Sequence, residues 1–297
     1  MDFSGVLFFP VTPFDADGQP SWDVLAEHLR RGLAHRPGGV FAACGTGEFP
    51  SLSEREHAEV VATAVRVTAG QAPVFAGAGG PLGAALNQAR AAREAGADGL
   101  LLMPPYLAQG PRQGLVEYVR AIAGIGLPVI VYQRGQVVLD PDSAVELARV
   151  PGVIGLKDGI GDIDRLQRII LAVRREVGEG FVFFNGLPTA ELTMPAYRGL
   201  GVTLYSSAVF AFAPEIAGAY LNGDDRLLTE FYAPLVRLRT QVPGYAVSLV
   251  KAGVRLRGLP AGPVRPPLVD AAPEHVEELD RLIKIGLDLI GGEVGGR

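Results

Sequence analysis

Two hundred and ninety-seven residues, 48% hydrophobic and 20% charged, supply enough apolar surface for a sizeable core and exclude a disordered chain. A net charge of −5, from 27 basic and 32 acidic side chains, excludes a standing electrostatic grip on a nucleic-acid backbone. The single cysteine, Cys44, excludes an intramolecular disulfide framework, and no Cys/His spacing suits zinc.

The chain opens Met1-Asp2-Phe3-Ser4-Gly5, without the basic leader of a signal peptide, and Pro10 interrupts the first short apolar run, Val6–Phe9. Further runs follow at Gly39–Ala43, Pro73–Ala78, Gly99–Met103, Pro128–Tyr132, Val153–Lys157, Phe181–Asn185 and Gly201–Tyr205. None approaches the roughly 20 apolar residues of a membrane span, so a cytoplasmic protein with no membrane partner is expected. The runs are nearly continuous in apolar character rather than alternating, as strands buried on both faces of a parallel sheet are. Between them the chain carries helical periodicity. Ile163, Leu166, Ile169, Ile170, Val173 and Val177 mark one face of such a stretch, and Asp164, Arg165, Arg168 and Arg174 the other. Units of this kind, roughly 25–30 residues apart, match an α/β fold of the (β/α)8 TIM-barrel type over residues 1–220. An open doubly wound sheet uses the same units; even spacing with no linker between halves favours the barrel. Residues 221–297 read as a C-terminal helical extension packed on the barrel, periodic over Asp225–Arg239, Ala246–Arg257 and Pro273–Leu289.

In a barrel of this kind chemistry sits on the loops that follow the strands. Lys157 is the most informative residue there. The chain has three lysines (Lys157, Lys251, Lys284) and takes nearly all other positive charge from arginine. An amine at the end of Val153-Ile154-Gly155-Leu156-Lys157 has a use arginine lacks: desolvated, it loses its proton and attacks a carbonyl. A lysine that caps the strand and pairs with Asp158 is the alternative. The period of two puts Val153, Gly155 and Lys157 on one face, with Gly155 leaving room for the lysine stem. Tyr132 ends the preceding run, about 4.8 Å away across the sheet. Beside an iminium its hydroxyl shuttles protons, because the cation favours the phenolate; the alternative is a tyrosine satisfied at the barrel rim. After the second run, Gly45-Thr46-Gly47-Glu48 either aims backbone N–H groups at a carboxylate or is an ordinary turn with Glu48 in a first helical turn. Gly77-Ala78-Gly79-Gly80 followed by Gly83 misses the GxGxxG register, so no dinucleotide is implied. His28, His35, His57 and His275 lie in helical stretches or flanking loops, away from strand ends. The residues imply no metal and no other cofactor.

Taken in order, Gly45-Thr46-Gly47-Glu48, Val131-Tyr132 and Gly155-Leu156-Lys157-Asp158 form a pattern that resembles the dihydrodipicolinate synthase/N-acetylneuraminate lyase superfamily. The resemblance spans the whole chain, extension included. Longer stretches look most like its 5-dehydro-4-deoxyglucarate dehydratase branch, among them Gly99-Leu100-Leu101-Leu102-Met103-Pro104-Pro105-Tyr106-Leu107, Gly186-Leu187-Pro188-Thr189-Ala190-Glu191 and Tyr205-Ser206-Ser207-Ala208-Val209-Phe210. What the resemblance implies is a Schiff-base lyase converting 5-dehydro-4-deoxy-D-glucarate to 2,5-dioxopentanoate, CO2 and water. Its partner would be that small keto-deoxy sugar diacid.

The resemblance also implies Lys157 as the Schiff-base lysine and Tyr132 as the acid/base. Gly45 and Thr46 match the seat of the carboxylate beside the ketone, with Gly47 in the same turn. Tyr106 matches an aromatic that reaches a neighbouring subunit's site, in a homo-oligomer built as a dimer of dimers. Arg134, Asn185, Gly186 and Ser206 are the candidates for the rest of the substrate. The chain departs from the branch at Gln133-Arg134-Gly135-Gln136, where asparagine, arginine, a small residue and asparagine are usual. It departs again at Cys44 and Asn185, which stand where glycines are expected. Two other readings use the same residues: a class I aldolase or synthase acting on pyruvate or a 2-keto-3-deoxy sugar acid, and a catalytically silent, ligand-sensing relative.

Overall fold

Apolar runs without alternation must be covered on both faces, and the computed structural model, which describes residues 3, 5–105 and 110–291, covers them with a barrel. Its strands are β1 (Val6–Phe8), β2 (Gly39–Ala42), β3 (Val74–Ala78), β4 (Gly99–Leu102), β5 (Val129–Gln133), β6 (Val153–Asp158), β7 (Val182–Asn185) and β8 (Leu204–Ser207). All pairings are parallel, in sequence order, and β8 closes on β1. The open doubly wound alternative is thereby excluded. Helices α1 (Trp22–Leu33), α2 (Glu54–Thr68), α3 (Leu82–Ala95), α4 (Arg112–Ala123), α5 (Pro141–Ala148), α6 (Ile163–Glu176), α7 (Ala190–Gly199) and α8 (Pro214–Leu221) follow the strands in turn. Then come α9 (Ala233–Thr240), α10 (Tyr245–Leu256) and α11 (Pro273–Gly291). Among the described residues no helix is long and apolar enough to cross a membrane.

Strand parity sorts the apolar side chains into two cores. Leu7, Phe9, Phe41, Phe75, Leu101, Ile130, Phe184 and Leu204 fill the barrel lumen. Val6, Phe8, Val40, Val74, Leu100, Val129, Val131 and Leu156 face the helices. In the lumen Phe9 stacks on Phe41 with ring centroids 4.7 Å apart, and Phe41 on Phe75 at 5.2 Å. The stacked rings fill the lumen with apolar surface.

Several expectations need correction. The stripe on α6 is narrower than its periodicity: Leu166, Ile169, Ile170 and Val173 are buried, whereas Ile163 and Val177, at the helix ends, are 38% and 41% exposed. The eighth strand starts at Leu204 rather than Gly201, because Gly201 has φ +76° and belongs to the turn that closes α7. Asp225–Arg239 is not one regular helix. Leu228–Tyr232 widens into a π turn just before Pro234, which has no N–H to continue an α ladder. In β6 the pairing slips by one residue, from Val129↔Val153 to Ile130↔Gly155. Ile154 is therefore bulged into the lumen, Val153 faces the helices, and Val153 does not share the face of Gly155 and Lys157.

Candidate active site

Tyr132 and Lys157 are register partners on β5 and β6, and both border a cavity of about 390 Å³ at the barrel mouth. Lys157 is 5% exposed, and its Nζ lies 4.1 Å from the Phe9 ring centroid and 4.6 Å from that of Tyr132. Asp158, the alternative partner, has the opposite strand parity. Its carboxylate accepts hydrogen bonds from Gln133 Nε2 at 2.7 Å, from the Tyr197 hydroxyl and from Ile160 N at 3.0 Å. Burial therefore acts on the Lys157 amine with no carboxylate among the described residues to offset it, and pushes its pKa down to about 7. Arg134 adds to the push. The nearby Cys44 thiol is driven up to about 12 by its own burial and stays neutral, so it brings no compensating charge.

Space for the pair is made by two glycines. A Cβ on Gly186 would stand 2.5 Å from both Cγ and Cε of Lys157, and one on Gly159 would stand 2.7 Å from Cε2 of Tyr132. Gly155, the residue expected to make that room, instead admits Val182, whose Cγ2 and carbonyl oxygen would each be 2.8 Å from a Cβ. The Tyr132 hydroxyl donates to Gly186 O at 2.6 Å and accepts from Arg134 Nη1 at 3.4 Å. Burial raises its pKa, with Arg134 acting against that, so the resting residue is a neutral phenol.

Gly45 and Thr46 border the cavity on the turn after β2. Hydrogen bonds inside the turn run from Glu48 N to Gly45 O and from Phe49 N to Cys44 O, which leaves the Gly45 and Thr46 N–H groups outside that ladder. Gly47 is buried behind the turn, where its carbonyl accepts from Thr12 Oγ1 at 2.7 Å. Glu48 opens no α-helix. It has φ +57° ahead of a 3-10 turn over Phe49–Ser51, and its side chain reaches into the extension. Glu48 Oε1 lies 2.7 Å from Nζ of Lys251 on α10, both side chains fully buried, and Oε2 accepts from Arg265 N at 2.8 Å. Lys251 also donates to Pro263 O at 2.7 Å.

The far side of the cavity is built from β7, β8 and the extension. Arg134 is exposed at the rim, while Gly186, Ser206, Glu191 and Arg239 lie along the wall with Ala246 and Leu268. Asn185 does not join them. Its outward parity turns the amide to Ala190 O at 3.1 Å and Thr193 Oγ1 at 2.8 Å, and its Oδ1 accepts from Leu187 N, so it shapes the loop from behind. Tyr106 lies outside the described residues. Glu191 Oε1 accepts from Ala208 N at 2.9 Å and from Ser207 Oγ at 3.3 Å, and Oε2 stands 3.7 Å from Arg239 Nη1. Among the described residues, Ser206 Oγ and the Nε and Nη1 of Arg239 are buried with no hydrogen-bond partner.

The model of the dihydrodipicolinate synthetase family matches residues 2–286. The chain belongs to that family. A Streptomyces avermitilis protein named "Probable 5-dehydro-4-deoxyglucarate dehydratase 1" is 55% identical over 296 residues, covering 97% of this chain and 95% of that protein. An Azotobacter vinelandii protein named "Probable 5-dehydro-4-deoxyglucarate dehydratase" is 43% identical over 291 residues, covering 95% of each. Among solved structures, dihydrodipicolinate synthase from Oceanobacillus iheyensis superposes with a TM-score of 0.85 at 26% identity, over 95% of this chain and 96% of that one.

Within this member of the family, sequence reasoning missed Glu191, Arg239 and the Glu48–Lys251 pair. Arg239 and Glu191 lie on α9 and α7 and meet only through tertiary packing, so no local spacing flags them. Lys251 did carry a signal. It is one of three lysines, set in the apolar stretch Val247–Val254, and the scarcity that singled out Lys157 applies equally to it.

Proposed function

We propose that the protein is a 5-dehydro-4-deoxyglucarate dehydratase, a decarboxylating hydro-lyase that works through a Schiff base on Lys157. The observation that carries this reading is the buried Lys157 amine, free of any carboxylate and brought down to about 7, in register with the neutral phenol of Tyr132. The identities of 55% and 43% to proteins of that name support the substrate.

The 2-oxo acid end of the substrate sits on the Gly45–Thr46 turn. The free amine of Lys157 attacks the ketone, and the carbinolamine loses its hydroxyl as water with the Tyr132 proton, leaving an iminium beside a phenolate. The iminium acidifies the adjacent methylene, and the phenolate takes its proton to give an enamine. The enamine electrons expel the next hydroxyl, which departs as water with the proton Tyr132 has just received. What is left is a vinylogous iminium, which accepts the electron pair of the far carbon–carboxylate bond as CO2 leaves. One proton from solvent and a shift of the enol proton to carbon complete the skeleton. Hydrolysis of the iminium releases 2,5-dioxopentanoate and free Lys157. In the resting enzyme the Tyr132 hydroxyl donates to Gly186 O beside the pair, and Arg134 and Arg239 also border the cavity.

We take the active assembly to be the dimer of dimers that the resemblance implies, which sedimentation would read as four times the 31.3 kDa chain. Borohydride reduction with 5-dehydro-4-deoxyglucarate, followed by peptide mass, tests the chemistry. The expected result is an adduct at Lys157, with CO2 and a five-carbon aldehyde acid released without reductant. Pyruvate released from the same substrate would instead establish an aldolase on this scaffold, and no adduct would establish a silent relative.

A further inference from the structure

Arg239 is 9% exposed, borders the cavity, and keeps Nε and Nη1 buried with no acceptor. A buried, unpaired N–H is costly to leave without an acceptor, and more so when the group is charged. The neighbouring Glu191 does not use those protons. Its Oε1 is occupied by the loop after β8, and its Oε2 stays 3.7 Å from Nη1, beyond hydrogen-bond reach. Glu191 thus stands beside the guanidinium while leaving its donors for something else. Ser206 Oγ, on the lumen-facing parity of β8, is buried and unpartnered in the same wall. Arg134 offers no comparable site: it is exposed at the rim and its Nη1 is spent on the Tyr132 hydroxyl.

We infer that Arg239, reaching in from the C-terminal extension, binds the far carboxylate of the substrate, with Ser206 Oγ holding the adjacent hydroxyl, and that this pair selects 2-oxo diacids over 2-oxo monoacids. The inference rests on the proposed dehydratase reading for the identity of the diacid. The test compares the parent with Arg239→Gln and Arg239→Lys in kcat and KM for 5-dehydro-4-deoxyglucarate. It adds borohydride trapping at Lys157 of three acids: pyruvate, 5-dehydro-4-deoxyglucarate, and the six-carbon 2-oxo-3-deoxy monoacid ending in an alcohol.

Arg239→Gln is expected to lower kcat/KM for the diacid about 10²-fold, chiefly through KM, as loss of a desolvated charge partner does. It should also remove the preference for trapping the diacid over the monoacid, with pyruvate trapped as in the parent. Arg239→Lys should recover part of the preference, since it keeps the charge but not the guanidinium geometry. Equal loss of trapping for all three acids in both variants would make Arg239 a structural residue and overturn the inference. An unchanged diacid preference in Arg239→Gln would overturn it as well. If the parent traps the diacid preferentially but releases neither CO2 nor water from it, the dehydratase reading fails while the trapping ratios still decide the role of Arg239.

Discussion

Lys157 at the end of β6 and Lys251 in the middle of α10 are both removed from solvent, and burial lowers the pKa of each. Their surroundings separate them. Lys251 faces the Glu48 carboxylate at 2.7 Å, gives a hydrogen bond to Pro263 O and packs over the Phe14 ring, and its pKa falls only to about 8. Lys157 has the Phe9 and Tyr132 rings instead of a carboxylate and falls to about 7. A buried amine with a counter-ion ties elements together, here the β2 turn to the extension. One without a counter-ion keeps a reactive lone pair at neutral pH.

Exchanging each lysine for methionine breaks this comparison most directly. Lys157→Met should abolish borohydride trapping and turnover while leaving the melting temperature unchanged or raised, because no ion pair is lost and an apolar side chain fills the same space. Lys251→Met should do the reverse to stability. It strands the Glu48 carboxylate in the interior, at a cost of about 3–5 kcal/mol in urea unfolding, and the double variant with Glu48→Gln should recover most of it. Retained trapping in Lys157→Met, or a Lys251→Met protein as stable as the parent, would erase the distinction between the two amines.

Both lysines are visible in the sequence, but only the setting of Lys157 is. The strand ending in Lys157 and its neighbour ending in Tyr132 announce themselves by apolar runs of strand length, and the barrel follows from eight such runs at even spacing. Parity along an unbroken strand is equally legible. It fails where a bulge enters: nothing local in Val153-Ile154-Gly155 marks the one-residue slip that sends Ile154 into the lumen. The partner of Lys251 is settled by docking of the extension, and so are the neighbours of Arg239. Asn185 shows the converse. It stands at a strand end, as a ligand-binding residue would, yet its parity turns the amide away from the cavity.

Next in size is the phenol. Tyr132→Phe keeps the ring beside Lys157 and removes the proposed proton carrier, so kcat should fall about 10²–10⁴-fold while an adduct with pyruvate still forms, more slowly. An equal loss of adduct and turnover would place Tyr132 in substrate binding rather than proton transfer.

The pH profile sharpens the contrast at smaller amplitude. As the proposed nucleophile the Lys157 amine must be unprotonated to attack, and its pKa is lowered to about 7, so protonation should remove activity as pH falls below 7. kcat/KM for the free enzyme should drop about tenfold per unit below that point and be level above it, until Tyr132, whose pKa is raised, begins to ionise in the alkaline range. A profile level down to pH 5 would mean that a different group is the nucleophile.

The smallest effect is expected at Cys44, whose thiol lies in the lumen near the Lys157 amine. Were it a thiolate it would hold Lys157 protonated and raise the acid limb of the profile. Its pKa of about 12 keeps it neutral at working pH, so its contribution is packing alone. Cys44→Ala should therefore leave the apparent pKa of kcat/KM within about half a unit of the parent, and the native protein should resist alkylation by iodoacetamide. A fall of a full unit in Cys44→Ala would mean that the Lys157 amine has a counter-ion after all, and that it differs from Lys251 in the identity of its partner rather than in lacking one.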